Sequence, residues 1–125
     1  MHSCGIYHRD IKPHNMLLNE NFEIKITDFG FATNKTGPLE TLLGTPEYEA
    51  PELISEKVYD GAKVDVFAAG VSLFNIYTGI APFEWAELKK KEEDPLYKMI
   101  AKKDNKYWST ISEQYFCVKN PDKLG

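Results

Sequence analysis

Residues His8-Arg9-Asp10-Ile11-Lys12-Pro13-His14-Asn15 are followed, after a short interval, by Asp28-Phe29-Gly30. Pro13 and its polar neighbours rule out a regular helix in the first segment, so it reads as a loop. Between the two segments, residues 16–18 and 24–26 are short apolar runs separated by a polar turn, which predicts a β-hairpin. Asp10, Asn15 and Asp28 therefore lie on two loops that flank one hairpin, where their side chains can converge.

Two carboxylates and a carboxamide on adjoining loops form a set of oxygen donors. Such donors suit Mg²⁺, which binds one or two protein carboxylates together with substrate phosphates. The other carboxylate could accept the proton of an attacking hydroxyl. The plainer alternative is that each residue forms a turn or caps a helix, which is the usual role of Asp and Asn in loops. A lone Asp-Phe-Gly is a weak signal, and only the whole set of residues indicates a site.

The composition is that of one globular domain. The chain has 125 residues, 42% of them hydrophobic and 27% charged, with a net charge of −4. Its lysines are scattered, so we expect no nucleic-acid partner. The two cysteines and three histidines match no metal-ligand spacing, which favours a reducing, intracellular and cytoplasmic location.

The second half of the chain is predicted to be mainly helical, in an α+β fold. Short helices are expected near residues 52–55 and 95–102, and a longer one over about 62–77. This longer helix is apolar on all sides, which indicates a central buried helix, and we expect no membrane span. The mixed charge run at 89–94 is interpreted as a solvated face. The irregular segment 31–49 is typical of a loop that is either functional or disordered.

At these residues the sequence resembles the eukaryotic-type serine/threonine protein kinases. Residues 8–15 resemble the family's catalytic loop, 28–30 its metal-binding triplet, and Ala50-Pro51-Glu52 the triplet that closes the activation segment, here 28–52. Residues 44–48 resemble the loop that faces the substrate, and 64–70 the start of the central helix of the large lobe. The resemblance implies a partial kinase-like C-lobe whose hairpin carries the catalytic and metal-binding loops.

The resemblance implies a role for each matching residue. Asp10 would be the base or orienting carboxylate for the substrate hydroxyl, and Lys12 would neutralise the transferred phosphoryl group. Asn15 and Asp28 would hold the Mg²⁺ ions that bridge the phosphates of ATP. The other implied positions are Leu17 beneath the adenine, Thr45 bonded to Asp10, Asp65 bonded to the loop backbone, and His8, Phe29, Gly30 and Glu52 as structural residues.

The resemblance also implies a partner and a means of regulation. The partner is a protein substrate that carries serine or threonine. Thr41 stands where many relatives are phosphorylated by an upstream kinase, and Arg9 would pair with that phosphate.

The parts of the family domain that are missing from this sequence shape the expected activity. We expect residues 1–125 to lack the N-lobe and the final helices, with Met1 standing as an internal methionine of a longer domain. Glu52 would be a buried carboxylate whose usual arginine partner is absent, since Arg9 is the only arginine. We therefore expect little or no kinase activity from the isolated chain. The alternative is a non-catalytic C-lobe module that binds protein partners through the surfaces of residues 45–52 and 95–102.

Overall fold

The computed structural model describes residues 1–86 and 93–119, with only the backbone for 116–119. A two-stranded sheet comes first and four α-helices follow, and the loops contain short 3-10 turns. The strands are β1 (Met16–Leu18) and β2 (Ile24–Ile26), and the helices are α1 (Pro51–Ser55), α2 (Gly61–Thr78), α3 (Pro95–Ala101) and α4 (Lys106–Lys119). The 3-10 turns are His2–Cys4, Pro13–Asn15, Phe29–Phe31 and Pro46–Tyr48.

The predicted hairpin is confirmed at its predicted residues. Strands β1 and β2 pair antiparallel, with Met16 opposite Ile26. The turn is closed by Asn19, whose side-chain oxygen accepts the backbone N–H groups of Asn21 and Glu23 at 3.0 and 2.9 Å. An Asn side chain that bonds the backbone two residues on is a common way to build a tight turn. The hairpin thus fixes the loop before β1 against the loop after β2.

Helix α2 is the longest helix, and its ends follow from its sequence. The Asp60 carboxylate accepts the N–H groups of Ala62 and Lys63 at the start, and Gly79 ends the helix with a φ of 78°. The prediction of burial on all sides is met on one side only. On the solvent-facing side of α2, Val66 and Tyr77 are 65% and 84% exposed, and Leu73 and Ile76 are also exposed. A membrane crossing has no candidate among the helices of the described residues.

The buried apolar residues that the structure describes include two clusters, and both pack against Phe67 of α2. The first joins the activation segment to α1 and α2, and its buried members are Leu39, Ala50, Leu53, Tyr59 and Val64. The second lies further along α2 and contains Val71, Phe83 and Ala86. Gly61 is required at the start of α2, because a Cβ there would lie 2.7 Å from Cγ of Tyr7. The activation segment is therefore packed onto the helical core.

Helices α3 and α4 complete the described chain, and α4 was not predicted. Before α3, Asp94 is only 3% exposed, and its carboxylate accepts the backbone N–H groups of Glu84 and Tyr97, both at 2.8 Å. The prediction of a solvated charge run is therefore wrong for Asp94, which is the N-cap of α3. Residues 89–92 of that run lie outside the described residues. In α4, the Tyr107 hydroxyl donates to the Pro82 carbonyl at 3.3 Å.

Candidate active site

The loop at residues 8–15 is held from below by Asp65 of α2. The Asp65 carboxylate is 3% exposed and accepts the backbone N–H groups of His8 and Arg9 at 2.8 and 2.7 Å. The Nε2 atom of His2 lies 2.8 Å from the same carboxylate. Arg9 has a φ of 66°, which is unusual for a residue with a side chain. The position predicted for Asp65, beneath the catalytic loop, is the one observed.

Asp10, Lys12 and Thr45 form a closed ring of polar contacts. The Thr45 hydroxyl donates to Oδ1 of Asp10 at 2.8 Å. The Lys12 ammonium donates to the Thr45 hydroxyl at 2.7 Å and lies 2.9 Å from Oδ2 of Asp10. This ring joins the loop at 8–15 to the end of the activation segment, and it contains the predicted contact between Thr45 and Asp10.

Asn15 is attached to this ring and is nearly buried. Its Nδ2 donates to the carbonyl and to Oδ2 of Asp10, at 2.9 and 3.1 Å. Both side-chain donors therefore point toward Asp10. Its Oδ1 accepts no hydrogen bond from the described residues, although Asn15 is only 6% exposed. A buried amide oxygen without a protein donor can serve as a ligand for a cation.

Asp28 is brought to the same side of the hairpin as Asn15. Its neighbour Thr27 donates a backbone N–H to the Asn15 carbonyl at 2.9 Å. Asp28 has a φ of 58°, and its exposed carboxylate accepts the N–H of Gly30 at 3.2 Å. Such a left-handed conformation at a residue with a side chain stores strain and is common at functional sites. The structure thus brings the loops of Asp28 and Asn15 together across the hairpin.

His8, which was predicted to be a structural residue, joins the loop at residues 8–15 to the loop that follows β2. The His8 ring is fully buried, with its Nε2 2.9 Å from the Thr27 carbonyl. It also packs edge-on against the Phe29 ring, with centroids 5.0 Å apart. Leu17 on β1 is 57% exposed, so an apolar surface is presented to solvent beside this site.

The protonation state of Asp10 follows from its surroundings. Burial acts to raise the pKa of Asp10, but hydrogen bonds from Lys12, Thr45 and Asn15 and the charge of Lys12 outweigh it. The net effect holds the pKa of Asp10 below its ordinary value of 3.8. Asp10 is therefore ionised at neutral pH, in the form that accepts hydrogen bonds.

A metal ion held by protein side chains alone has no ready site here. Among residues 1–86 and 93–115, whose side chains the structure describes, no three His, Cys, Asp or Glu side chains are grouped so that they could ligate one. Asn15 and Asp28 offer one amide oxygen and one carboxylate. Such a pair fits Mg²⁺ only when phosphate oxygens supply further ligands, which is the usual way this ion is bound.

Arg9 connects the loop at residues 8–15 to the segment that follows residues 28–30. Its Nε donates to the Phe31 carbonyl at 2.7 Å, just after residues 28–30. One of its terminal nitrogens donates to the Tyr59 hydroxyl at 3.5 Å, and that hydroxyl donates to the Thr41 carbonyl at 2.6 Å. Thr41 itself is exposed. Sequence reasoning singled out Arg9 and Thr41 but missed Tyr59, because only the fold brings a tyrosine before α2 against residue 41.

Glu52 differs from its predicted environment. It was expected to be a buried carboxylate, but it is half-buried and lines an open groove of about 720 Å³ together with Glu56 and Lys63. Glu52 takes part in no ion pair within the described ranges. An opening onto solvent lets water stabilise the charge, so this carboxylate does not carry the penalty of full burial.

Comparison with known proteins identifies the family. A family model described as "Protein kinase domain" matches residues 1–118. The chain therefore belongs to the protein kinase family, as the resemblance of its motifs predicted. It is similar to CBL-interacting protein kinase 10 of Oryza sativa subsp. japonica, with 46% identity over 116 residues, which cover 89% of this chain and 25% of the relative.

A second relative points to the same class. CBL-interacting serine/threonine-protein kinase 20 of Arabidopsis thaliana is 45% identical over 106 residues, which cover 81% of this chain and 23% of the relative. The chain thus spans about a quarter of the length of the curated relatives it matches. The name of this second relative specifies a serine/threonine-protein kinase.

Proposed function

We propose that residues 1–125 contribute the acceptor side and the metal side of a serine/threonine protein kinase site, within the C-lobe of the kinase fold. The reaction is phosphoryl transfer from ATP to a hydroxyl of a protein substrate. The observation that carries this proposal is the ring of Asp10, Lys12 and Thr45, to which Asn15 is bonded. Phosphoryl transfer depends almost entirely on positioning and charge stabilisation, and this ring provides both.

Asp10 orients the attacking hydroxyl. Its carboxylate is ionised. Oδ2 accepts from Lys12 and Asn15, whereas Oδ1 accepts only from Thr45 and keeps one lone pair. A substrate hydroxyl can donate to that lone pair and pass its proton to Asp10 as its oxygen bonds to phosphorus and the bond between that phosphorus and the leaving ADP oxygen breaks. Because the pKa of Asp10 is held low, its main contribution is orientation, and it takes up the proton only late in the transfer.

Lys12 stabilises the charge of the transferred group. An ammonium has three donors, and two of the Lys12 donors are directed at Thr45 and Asp10. The third is available for an oxygen of the transferred phosphoryl group. The contacts to Thr45 and Asp10 fix the ammonium in place, so little side-chain entropy is lost when phosphate binds.

Asn15 and Asp28 are the residues that fit Mg²⁺. The oxygen Oδ1 of Asn15 has no donor among the described residues, and the Asp28 carboxylate is exposed on the neighbouring loop. When bound, Mg²⁺ neutralises the charge of the ATP phosphates. Leu17, exposed on β1 beside these residues, is suited to apolar contact with the adenine ring.

The proposed kinase function extends to regulation and to location in the cell. The exposed Thr41 is accessible to an upstream kinase, and Arg9, which is connected to the Thr41 carbonyl through the Tyr59 hydroxyl, is the residue proposed to bind a phosphate there. ATP as co-substrate and the free, exposed thiol of Cys4 favour an intracellular, cytoplasmic location.

A second candidate function is supported by an apolar groove between α2 and the last two helices. The groove has a volume of about 520 Å³, and its lining includes Phe67, Phe74, Ile100 and Trp108. A module without catalysis could bind protein partners through this groove, since exposed apolar surface marks interaction sites. It would require neither the ring at Asp10 nor the ligands at Asn15 and Asp28.

The deciding experiment uses a chimera in which residues 1–125 replace the matching segment of a complete kinase domain. In this chimeric kinase, Asp28→Ala is expected to lower peptide phosphorylation by at least about a hundredfold, because metal stabilisation of the transferred charge is worth several kcal/mol. The matched control is Asp104→Ala, since Asp104 also accepts the backbone N–H two residues on, at 3.0 Å, and lies far along the chain.

Each outcome separates the two functions. Loss with Asp28→Ala and full activity with Asp104→Ala supports the kinase site. Phosphorylation retained in Asp28→Ala would refute the metal role of Asp28. An inactive chimera with all residues intact would favour the binding module.

A further inference from the structure

Tyr59 makes contacts that none of the roles above explain. It is 5% exposed and precedes α2. Its backbone N–H and carbonyl pair with those of Leu39, both at 2.9 Å. Its hydroxyl donates to the Thr41 carbonyl at 2.6 Å and receives the 3.5 Å bond from Arg9. One buried residue thus contacts the activation segment at two places and the neighbour of Asp10 at a third.

The chemistry of the phenol explains this arrangement. A buried tyrosine hydroxyl needs a partner, and it has one donor and two lone pairs. Its donor goes to the Thr41 carbonyl, which leaves a lone pair for the Arg9 guanidinium. At 3.5 Å the contact from Arg9 is weak, and the 2.6 Å bond that the hydroxyl donates to Thr41 is the stronger of the two. Since the acceptor on residue 41 is a backbone carbonyl, the contact needs neither the threonine side chain nor a phosphate on it.

The position of the segment matters because its next residues reach the site. A Cβ at Gly44 would lie 3.2 Å from the Arg9 carbonyl, so the segment passes close to the catalytic loop there. Thr45 then bonds Asp10. A displacement of residues 39–41 away from Arg9 would therefore also displace Gly44 and Thr45, which follow them in the chain.

We infer that Tyr59 is a positioning residue for phosphoryl transfer, and that its hydroxyl holds residues 39–41 against Arg9 whether or not Thr41 is phosphorylated. This inference rests on the proposed kinase function. Tyr59 thus gives the activation segment a permanent contact, in addition to the contact expected between Arg9 and a phosphate on Thr41.

The first test measures amide hydrogen exchange in the 125-residue protein. Tyr59→Phe keeps the ring and removes the hydroxyl, and it should speed exchange in residues 39–43 about fivefold, the factor for one net hydrogen bond of about 1 kcal/mol. The matched control is Tyr107→Phe. Tyr107 is also 5% exposed and also donates to a backbone carbonyl, that of Pro82. The control should leave exchange in residues 39–43 unchanged.

The second test measures kinetics in the chimeric kinase. Tyr59→Phe should lower kcat about fivefold with little change in the KM for ATP, and Tyr107→Phe should change neither. The same fivefold loss should appear when Tyr59→Phe is combined with Thr41→Ala, because the bond is made to a backbone carbonyl.

Three results would overturn the inference or separate it from the proposed function. Exchange in residues 39–43 that is equal for Tyr59→Phe and Tyr107→Phe would refute the attachment. Disappearance of the kinetic effect in the Thr41→Ala background would show that the phenol acts through the threonine side chain. An inactive chimera that still shows faster exchange in Tyr59→Phe would refute the kinase function and leave the attachment standing.

Discussion

Replacing Asp65 by asparagine tests what holds the catalytic loop in place. The carboxylate accepts the N–H groups of His8 and Arg9 on different oxygens, at 2.8 and 2.7 Å, while Nε2 of His2 approaches the oxygen bonded to His8. In Asp65→Asn one of the two oxygens becomes an NH₂ group, which cannot accept. One backbone N–H is then left facing another donor in a site that is 3% exposed.

The expected loss of stability can be estimated from these contacts. A hydrogen bond to a charged acceptor contributes about 1.5–3 kcal/mol, and a buried donor left without a partner costs about 1–3 kcal/mol. Together they predict a fall of about 2.5–6 kcal/mol in the free energy of unfolding, which is a large part of the ~5–15 kcal/mol of an ordinary domain. The left-handed φ of Arg9 stores a further ~1–3 kcal/mol of strain that the bond to Asp65 holds in place. Asp10, the next residue, is therefore expected to move when that bond is lost.

The assay is urea unfolding of the 125-residue protein followed by far-UV circular dichroism. The matched control is Asp60→Asn in the same helix, because asparagine and aspartate are similar N-caps and the expected change is below about 1 kcal/mol. A loss below about 1 kcal/mol for Asp65→Asn, equal to that of the control, would refute the reasoning. In the chimeric kinase, Asp65→Asn should also lower kcat, which a loss of stability alone does not predict for the folded fraction.

Three further predictions follow from single contacts. Gly61→Ala should destabilise the protein by about 1–3 kcal/mol, since its Cβ would lie 2.7 Å from an aromatic ring. Gly70→Ala, in open space on the same helix, should stabilise the protein by about 0.5–1 kcal/mol. Urea unfolding measures both changes. Burial, and then a nearby carboxylate, raise the pKa of Tyr107 to about 12, above its ordinary 10.0. The stability that this neutral phenol contributes is therefore complete below pH 10.0 and is lost as pH rises toward about 12. Across that interval, the Tm of the wild type should fall relative to the Tm of Tyr107→Phe. A difference in Tm between the two proteins that stays constant with pH would contradict the assignment. In the chimeric kinase, Thr45→Val removes a hydroxyl bond to the Asp10 carboxylate and should lower kcat about 10–100-fold, and unchanged kcat would exclude a role for the ring.

The parts of the fold that depend on local rules were predictable from the sequence. The hairpin follows from two apolar runs around Asn19, whose side chain builds the turn. The span of α2 follows from a cap at Asp60 and a stop at Gly79, and the observed ends lie one residue outside the predicted ones. The order of the motifs indicated which residues share the site, and Asp65 and Thr45 make the expected contacts with the catalytic loop.

The parts that were missed depend on contacts between distant residues. Asp94 lies at the end of a charge run, and only the approach of the chain at Glu84 makes it a buried cap. The hydroxyl of Tyr59 has no local signature, since its partners are Arg9 and Thr41. Helix α4 is a different case, because Tyr107, Ile111, Tyr115 and Val118 do stand at helical spacings of three and four residues, and this signal in the sequence was not used.

The exposed side of α2 has a practical consequence for work on this protein. Val66, Leu73, Ile76 and Tyr77 offer apolar surface to solvent while the opposite side of the helix is packed. Dyes that fluoresce on apolar surfaces are commonly used to detect loosely packed, molten states. With this protein such a dye should fluoresce on the fully folded chain, so a dye signal by itself is no sign of misfolding. Near-UV circular dichroism, which reports fixed aromatic packing, is the proper measure of its native state.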